Sequence, residues 1–259
     1  MAAPDVYHLG LMAELNDAAN PDDAPEIDFY ADVVARGAGP ALDAGCGPGR
    51  LLRRCLAAGL DIEGSDVSAD MLEICRRRCA EAGFEPVLHR QATGELDLPR
   101  RFGTIVMCGA FGLNGARADD VESLRRVHHR LLPGGQLTFD LEPGWADPEL
   151  WQLFADPGRL PSAWRQLRSA DRGEGAAIQY VSRTLEVDRT EMSVTRETRC
   201  QLVQGGKTVR TEVHTLVERF YNPHEVLDML RAAGFSEVSV VEQPLWWSDP
   251  FHVFSAVRR

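Results

Sequence analysis

The stretch Ala41-Leu42-Asp43-Ala44-Gly45-Cys46-Gly47-Pro48-Gly49-Arg50 constrains the chain more than any other. An apolar run from Pro40 to Ala44 reads as a short buried strand, and three glycines at alternate positions follow it. After Pro48 the apolar residues Leu51, Leu52, Cys55 and Leu56 recur at helical spacing. A strand that turns through glycines into a helix is a nucleotide-binding device. Its backbone can approach a ligand closely, and the first turn of the helix offers that ligand free N–H groups. The spacing here is G-x-G-x-G, and Arg50 stands where the dinucleotide fingerprint G-x-G-x-x-G needs its third glycine. A dinucleotide Rossmann domain, the bland alternative, has no ready place for that arginine. Asp43, two residues before the first glycine, completes the pattern D-x-G-x-G-x-G.

A second acid extends the pattern. Asp61-Ile62-Glu63-Gly64-Ser65-Asp66 reads as the next strand, and Asp66 stands at its end. An acid at that tip can accept hydrogen bonds from both ribose hydroxyls of a nucleoside. Val67-Ser68-Ala69-Asp70-Met71-Leu72 follows. Taken together, the glycine loop, Asp66 and Ser68-x-x-Met71-Leu72 resemble the class I S-adenosylmethionine-dependent methyltransferases. The resemblance implies an α/β fold: a Rossmann-like, seven-stranded, mostly parallel sheet with helices on both faces. It also implies S-adenosyl-L-methionine as cofactor and S-adenosyl-L-homocysteine as product. The cofactor would lie along Asp43, Gly45, Cys46, Gly47, Gly49 and Arg50, with Asp66 at the ribose and an apolar side chain of the following stretch, which holds Val67 and Met71, along the adenine. Gln91, Ala92 and Thr93 after the third strand, and Cys108, Gly109 and Ala110 after the fourth, would complete that site. Members of the family often carry an acid near Gln91 that meets the adenine amino group. Here Gln91 or Thr93 would serve with an amide, a hydroxyl or the backbone.

Composition narrows the partners. The formal net charge of −11 argues against a nucleic-acid surface, which would show clustered Lys and Arg, and disfavours an anionic membrane. No run is long enough to span a bilayer, and the first residues lack the basic and apolar regions of a secretory leader. Six scattered cysteines, with Cys75 and Cys79 four apart on one predicted helix, show no metal spacing. Buried free thiols in a reducing cytoplasm are the expectation.

From Pro40 to Glu142 strand and helix signals alternate, which means a parallel sheet with right-handed crossovers and ligands beyond the carboxyl ends of its strands. The predicted strands include Pro86–Ala92, Gly103–Ala110 and Gln136–Glu142. A helix over about Ala118–Leu132 closes at Pro133-Gly134-Gly135. Before this block lie a weakly helical stretch, Val6–Leu15, and a helix over about Glu26–Arg36, read as a cover over the cofactor. Tyr7 and Tyr30 are therefore candidates for the rim of the site. After the fifth strand a short helix near Asp147–Ala155 leads into four strands with period-two alternation between Ser162 and Arg219. This antiparallel β insertion is expected as a lid or platform. The domain reading is thus 1–145 with 221–259 as the core and 146–220 as the insertion. Asn222-Pro223 starts a last helix, and strands Ser236–Glu242 and Phe251–Val257 form a terminal hairpin. Topology brings Tyr221, His224, Trp246 and Trp247 to the carboxyl edge: the first two join the catalytic candidates, the tryptophans those for binding the acceptor. Trp145, Trp151 and Trp164 are expected to glue the insertion to the core, and His128-His129 to lie on a solvated helix face.

Methyl transfer from a sulfonium is an in-line displacement with a good leaving group, so alignment and exclusion of water matter most. The end of the fourth strand, Cys108-Gly109-Ala110-Phe111, lacks the Asn/Asp-Pro-Pro-Tyr type motif that holds a planar nitrogen, which disfavours DNA bases and glutamine side chains as acceptors. The nearest likeness is to bacterial amino-sugar N,N-dimethyltransferases and glycine-type N-methyltransferases. It implies a small-molecule acceptor. None of Tyr7, Tyr30, Tyr221 and His224 forms a recognisable acid–base pair, and an amine needs orientation more than deprotonation, so N-methylation is expected ahead of O- and then C-methylation. A monomer or homodimer is expected. A non-catalytic cofactor-binding module and a nicotinamide oxidoreductase are the rival readings.

Overall fold

A computed structural model of the chain describes residues 8–113, 116–142, 148–173, 175–245 and 251–259. Two compact units emerge. One takes residues 22–112, 116–142 and 221–259, and the other takes 8–21, Leu113 and the described residues of 148–220. The sequence reading assigns the N-terminal stretch to the core. In the structure its described part groups with the inserted strands instead.

The larger unit is built on β1 (Ala41–Ala44), β2 (Ile62–Asp66), β3 (Leu88–Arg90), β4 (Phe102–Met107) and β5 (Leu131–Leu141). The insertion carries β6 (Arg165–Gly173), β7 (Ala176–Asp188), β8 (Ser193–Gln204) and β9 (Lys207–Arg219), and the chain ends in β10 (Ser236–Gln243) and β11 (Phe251–Val257). The seven-stranded sheet runs β10-β11-β5-β4-β1-β2-β3. Its pairs are parallel from β5 to β3, whereas β11 joins β5 and β10 antiparallel. β1 and β4 are buried along their whole length, as central strands covered on both faces are. α2 (Pro25–Arg36) precedes the first strand, and α3 (Arg50–Ala57), α4 (Ala69–Glu81), α5 (Arg117–Arg130) and α7 (Pro223–Ala232) follow in the same unit, with α1 (Gly10–Ala19) and α6 (Pro148–Ala155) in the other. Among the described residues no helix is long and apolar enough to cross a membrane.

Two apolar layers flank the sheet. On one side Leu124 and Val127 of α5 and Val226 and Leu230 of α7 pack with Phe102, Ile105, Phe139 and Phe254. On the other, Ile27, Tyr30 and Val34 of α2 join Leu51, Leu52 and Cys55 of α3 and Cys75 and Cys79 of α4. All six cysteines are free, and five are buried, as their apolar settings implied. The last helix starts as its sequence dictates: the Asn222 side chain accepts from the Glu225 N–H at 2.9 Å, with Pro223 next.

Two local expectations change. Pro133-Gly134-Gly135 is not a loop after the helix but an irregularity inside β5. Phe102 pairs with Leu131, yet Thr104 already pairs with Gln136. The His128-His129 pair is not a plain solvated face either. His128 is half-buried, its ring 5.0 Å from that of Phe235. Burial lowers its pKa, and the Arg258 guanidinium takes the carbonyls of His128, His129 and Leu131 at 2.6–3.0 Å. Arginine donors here finish the carbonyls at the end of α5.

In the smaller unit β6–β9 form an antiparallel meander in the order of the chain. Leu11, Met12 and Leu15 of α1 pack on Ala170, Ile178, Tyr180 and Cys200. The Leu11 N–H donates to Glu212 of β9 at 2.7 Å, an acid placed where a helix N-terminus favours one. The guanidiniums of Arg183 and Arg199 lie over the Trp164 ring, 4.7 and 4.0 Å from its centre, and Glu197 pairs with both arginines. The Trp151 ring lies tilted against that of Phe154, their centres 5.6 Å apart. Trp145 lies outside the described residues.

Candidate active site

The carboxyl ends of β1, β2, β4 and β5 lie side by side, and the glycine loop leaves the first of them. Gly45, Gly47 and Gly49 all take positive φ. At Gly49 (φ 80°) a Cβ would stand 2.4 Å from the Cys75 sulfur, so glycine is required for α3 to start against α4. At Gly47 (φ 53°) a Cβ would meet nothing within 4 Å, so the loop faces open space there. Cys46, within the loop, is buried, and its thiol donates to the Gly47 carbonyl at 3.9 Å.

Asp66 closes the loop from β2. Its Oδ2 accepts the Gly47 N–H at 2.9 Å and its Oδ1 the Ser68 N–H at 2.8 Å. Ser68 in turn caps α4 by accepting from the Met71 N–H at 3.1 Å. Burial pushes the Asp66 carboxyl up, while the backbone donors of Ser68, Gly47 and Val67 pull it back. Asp43, at the end of β1, is more strongly affected. Burial, with the nearby Asp66 charge, raises its pKa to about 7 against the opposing pull of Arg50. Asp43 Oδ1 is buried without a hydrogen-bond partner.

Two further acids stand at this edge that the sequence reading missed. Glu26, in the first turn of α2, is buried and accepts from Arg50 Nη1 at 2.8 Å, while its other oxygen has no hydrogen-bond partner. Asp140, near the end of β5, accepts both the Tyr30 hydroxyl and the Gly109 N–H, the latter at 3.0 Å. Tyr30 is fully buried, and burial together with the Asp140 charge holds its pKa well above the ordinary tyrosine value. The Cys108 thiol at the end of β4 is raised by burial and by the charges of Asp140, Asp43 and Glu26, and lowered by Arg50. The only sequence signal for these acids is Asp140 at the end of a predicted strand; nothing local marks Glu26.

A family model described as a methyltransferase domain matches residues 41–135. A Streptomyces fradiae enzyme, dTDP-3-amino-3,6-dideoxy-alpha-D-glucopyranose N,N-dimethyltransferase, is 33% identical over 190 residues, covering 69% of this chain and 72% of that one. The chain belongs to the S-adenosylmethionine-dependent methyltransferases. Among solved structures, DesVI of Streptomyces venezuelae superposes with a TM-score of 0.69 at 21% identity, covering 98% of this chain and 100% of that one. S-adenosylmethionine-bound CalS10, an amino pentose methyltransferase of Micromonospora echinaspora, gives a TM-score of 0.65 at 20% identity over 98% and 99% of the two chains. At such identities these two establish the fold. S-adenosylmethionine is the cofactor of this methyltransferase.

The remaining predicted residues of the methyltransferase distribute unevenly. Met71 is buried in the first turn of α4, and Val67 follows Asp66 directly. The Gln91 side-chain carbonyl accepts the Asp97 N–H at 2.9 Å, which ties it into the turn containing Thr93. Ala110 lies over Gly45, where a Cβ would stand 2.4 Å from its own. Tyr221 is buried, donates its hydroxyl to Asp120 at 2.5 Å, and carries the Arg117 guanidinium 4.4 Å above its ring. His224 is exposed in the first turn of α7, beside a groove lined by Asn222, Glu225 and Asp228. The structure therefore brings Tyr30 together with the glycine loop's neighbours but sets Tyr221 into an α5–α7 contact. Tyr7, Trp246 and Trp247 lie outside the described residues.

Proposed function

We propose that this methyltransferase holds its cofactor on the glycine loop and Asp66 and methylates an amine nitrogen of a small molecule of the amino-sugar class. The residues fit a cofactor that carries a sulfonium and an ammonium beside one carboxylate: buried carboxylate oxygens of Glu26 and Asp43 lack donors, and the loop opens at Gly47. Each oxygen of Asp66 already takes one backbone N–H but keeps lone pairs for a ribose hydroxyl. When bound, the cofactor supplies an electrophilic methyl group on a sulfonium. The protein's share is to align the acceptor and exclude water.

The observation that carries the acceptor reading is the N,N-dimethyltransferase of Streptomyces fradiae, similar across 69% of this chain. The chemistry at the described edge agrees with it. The Tyr30 and Tyr221 hydroxyls each donate to an acid, so neither is arranged to take a proton from an acceptor. An amine that is partly neutral needs orientation more than deprotonation.

The test is incubation with methyl-labelled cofactor and nucleotide-linked amino sugars, beside counterparts with hydroxyl in place of amine. Label on nitrogen, found by mass spectrometry, is expected. Label on the hydroxyl counterparts at equal rate would overturn the nitrogen assignment.

A further inference from the structure

We propose that Asp140 is a positioning residue for the cofactor site, holding the glycine loop from two strands away through Gly109 and Ala110. This rests on the cofactor reading above and adds to it a residue outside the loop and outside the nucleoside contacts. Along β5 successive side chains alternate between the two faces of the sheet. Phe139 enters one apolar layer, with Phe102 and Phe254. Asp140 falls on the other face, beside its β11 partner Val253 and in the layer where Tyr30 and Val106 pack, and it is only 2% exposed. A carboxylate set among such residues is costly to desolvate, and an aliphatic side chain would serve packing there better. What Asp140 supplies instead is an acceptor.

Its Oδ1 takes two donors, the Tyr30 hydroxyl from α2 and the Gly109 N–H at 3.0 Å. Gly109 lies just past the end of β4, exposed and at φ 62°. An exposed glycine has many conformations open to it, and a bond to a buried carboxylate selects one. The next residue, Ala110, bears on the glycine loop: a Cβ at Gly45 would stand 2.4 Å from that of Ala110. β1 lies between β4 and β2, and the β2 side of the loop is fixed separately. There the Gly45 and Cys46 N–H groups donate to the Ser65 carbonyl at 2.7 and 2.9 Å, and the Gly47 N–H donates to Asp66. Gly45 is thus gripped between β2 and the end of β4, and Asp140 sets the position of the second. Tyr30 shares the same oxygen, which makes the docking of α2 part of the grip. Supporting bonds of this kind hold binding groups to within about 0.5 Å, so the loss of one is felt at the loop.

Isothermal titration with S-adenosylhomocysteine measures the site, and hydrogen exchange of the ligand-free proteins measures the loop. Asp140→Ala is expected to bind S-adenosylhomocysteine about tenfold more weakly, the scale of one lost hydrogen bond, and to exchange faster at Gly109 and across Gly45–Gly49. Asp140→Asn keeps an oxygen in place for both donors and is expected to bind within about threefold of wild type. Asn222→Ala removes the cap of α7 and so lowers stability away from the loop; its affinity and loop exchange are expected to match wild type. Wild-type affinity in Asp140→Ala, or equal weakening in Asp140→Ala and Asp140→Asn, would overturn the proposal, as would the same loss in Asn222→Ala. If Asp140→Ala does not fold, Tyr30→Phe takes its place. Removing one of the two donors is expected to speed exchange at Gly109 and in the loop, and unchanged exchange there would overturn the positioning role. Wild-type protein that does not bind S-adenosylhomocysteine would instead overturn the underlying cofactor site.

Discussion

The Tyr30 hydroxyl and the Gly109 N–H converge on one oxygen of Asp140. That contact ties α2, the loop after β4 and the end of β5 into one buried junction at the carboxyl edge. Replacing Tyr30 with Phe removes a donor from a buried carboxylate. A loss of about 1–3 kcal/mol in stability is expected, read from the midpoint of urea unfolding at constant m. An unchanged midpoint would mean that Tyr30 holds nothing in place.

Asp43 couples the site to pH. Its folded pKa, about 7, lies above the ordinary carboxylate value of 3.8, and burial raises Asp66 as well. Both groups hold protons more tightly folded than unfolded. Their contribution to stability is therefore greatest in acid and falls as pH rises toward about 7. Asp43→Asn removes the Asp43 share of that dependence and leaves that of Asp66, and at pH 8 it is expected to gain up to about 4 kcal/mol relative to wild type. The same reasoning predicts proton release when a cationic ligand binds near pH 6.5. Calorimetry in buffers of different ionisation enthalpy measures it, and Asp43→Asn is expected to abolish it.

Much of the core was legible because it rests on local chemistry. Gly49 and Asp66 sit where strand–glycine–helix geometry needs them, and the Asn222-Pro223 cap starts its helix as read. What was not legible depends on distant partners. Glu26 looks like any acid in a first helical turn until Arg50, far along the chain, is folded against it. Asp140 has meaning only once Tyr30 and Gly109 reach it. The first helix carries an apolar face that suits either sheet, and periodicity alone does not say that Ile178 and Cys200 are its partners.

Tyr221 offers a contrast with Tyr30. Its hydroxyl joins α7 to Asp120 of α5, and Arg117 lies over its ring. Tyr221→Phe is expected to lower stability by about 1–2 kcal/mol and leave kcat within about twofold. A fall in kcat of a hundredfold or more, with stability intact, would return Tyr221 to the catalytic group.

Asp66 is the acid on which the nucleoside assignment stands. Asp66→Ala is expected to weaken S-adenosylhomocysteine binding by about 1–3 kcal/mol in isothermal titration, as charge-assisted bonds to the ribose are lost. An affinity equal to wild type would move the ribose elsewhere.

The glycine loop can be tested by contrasting two of its positions. Gly47 and Gly49 both lie at positive φ, so alanine at either costs about 1–2 kcal/mol in backbone strain. At Gly49 the added methyl also meets the buried Cys75 sulfur, so Gly49→Ala is expected to unfold at clearly lower urea. At Gly47 the methyl enters open space, and the fold is expected to lose little beyond the strain. If that space belongs to the cofactor, the same methyl stands in its way. Gly47→Ala should then bind S-adenosylhomocysteine at least tenfold more weakly while keeping most of its stability, about 1.4 kcal/mol of affinity lost for each factor of ten. A Gly47→Ala variant that binds as wild type does would remove the loop from the cofactor site, whatever its resemblance to other loops of this pattern.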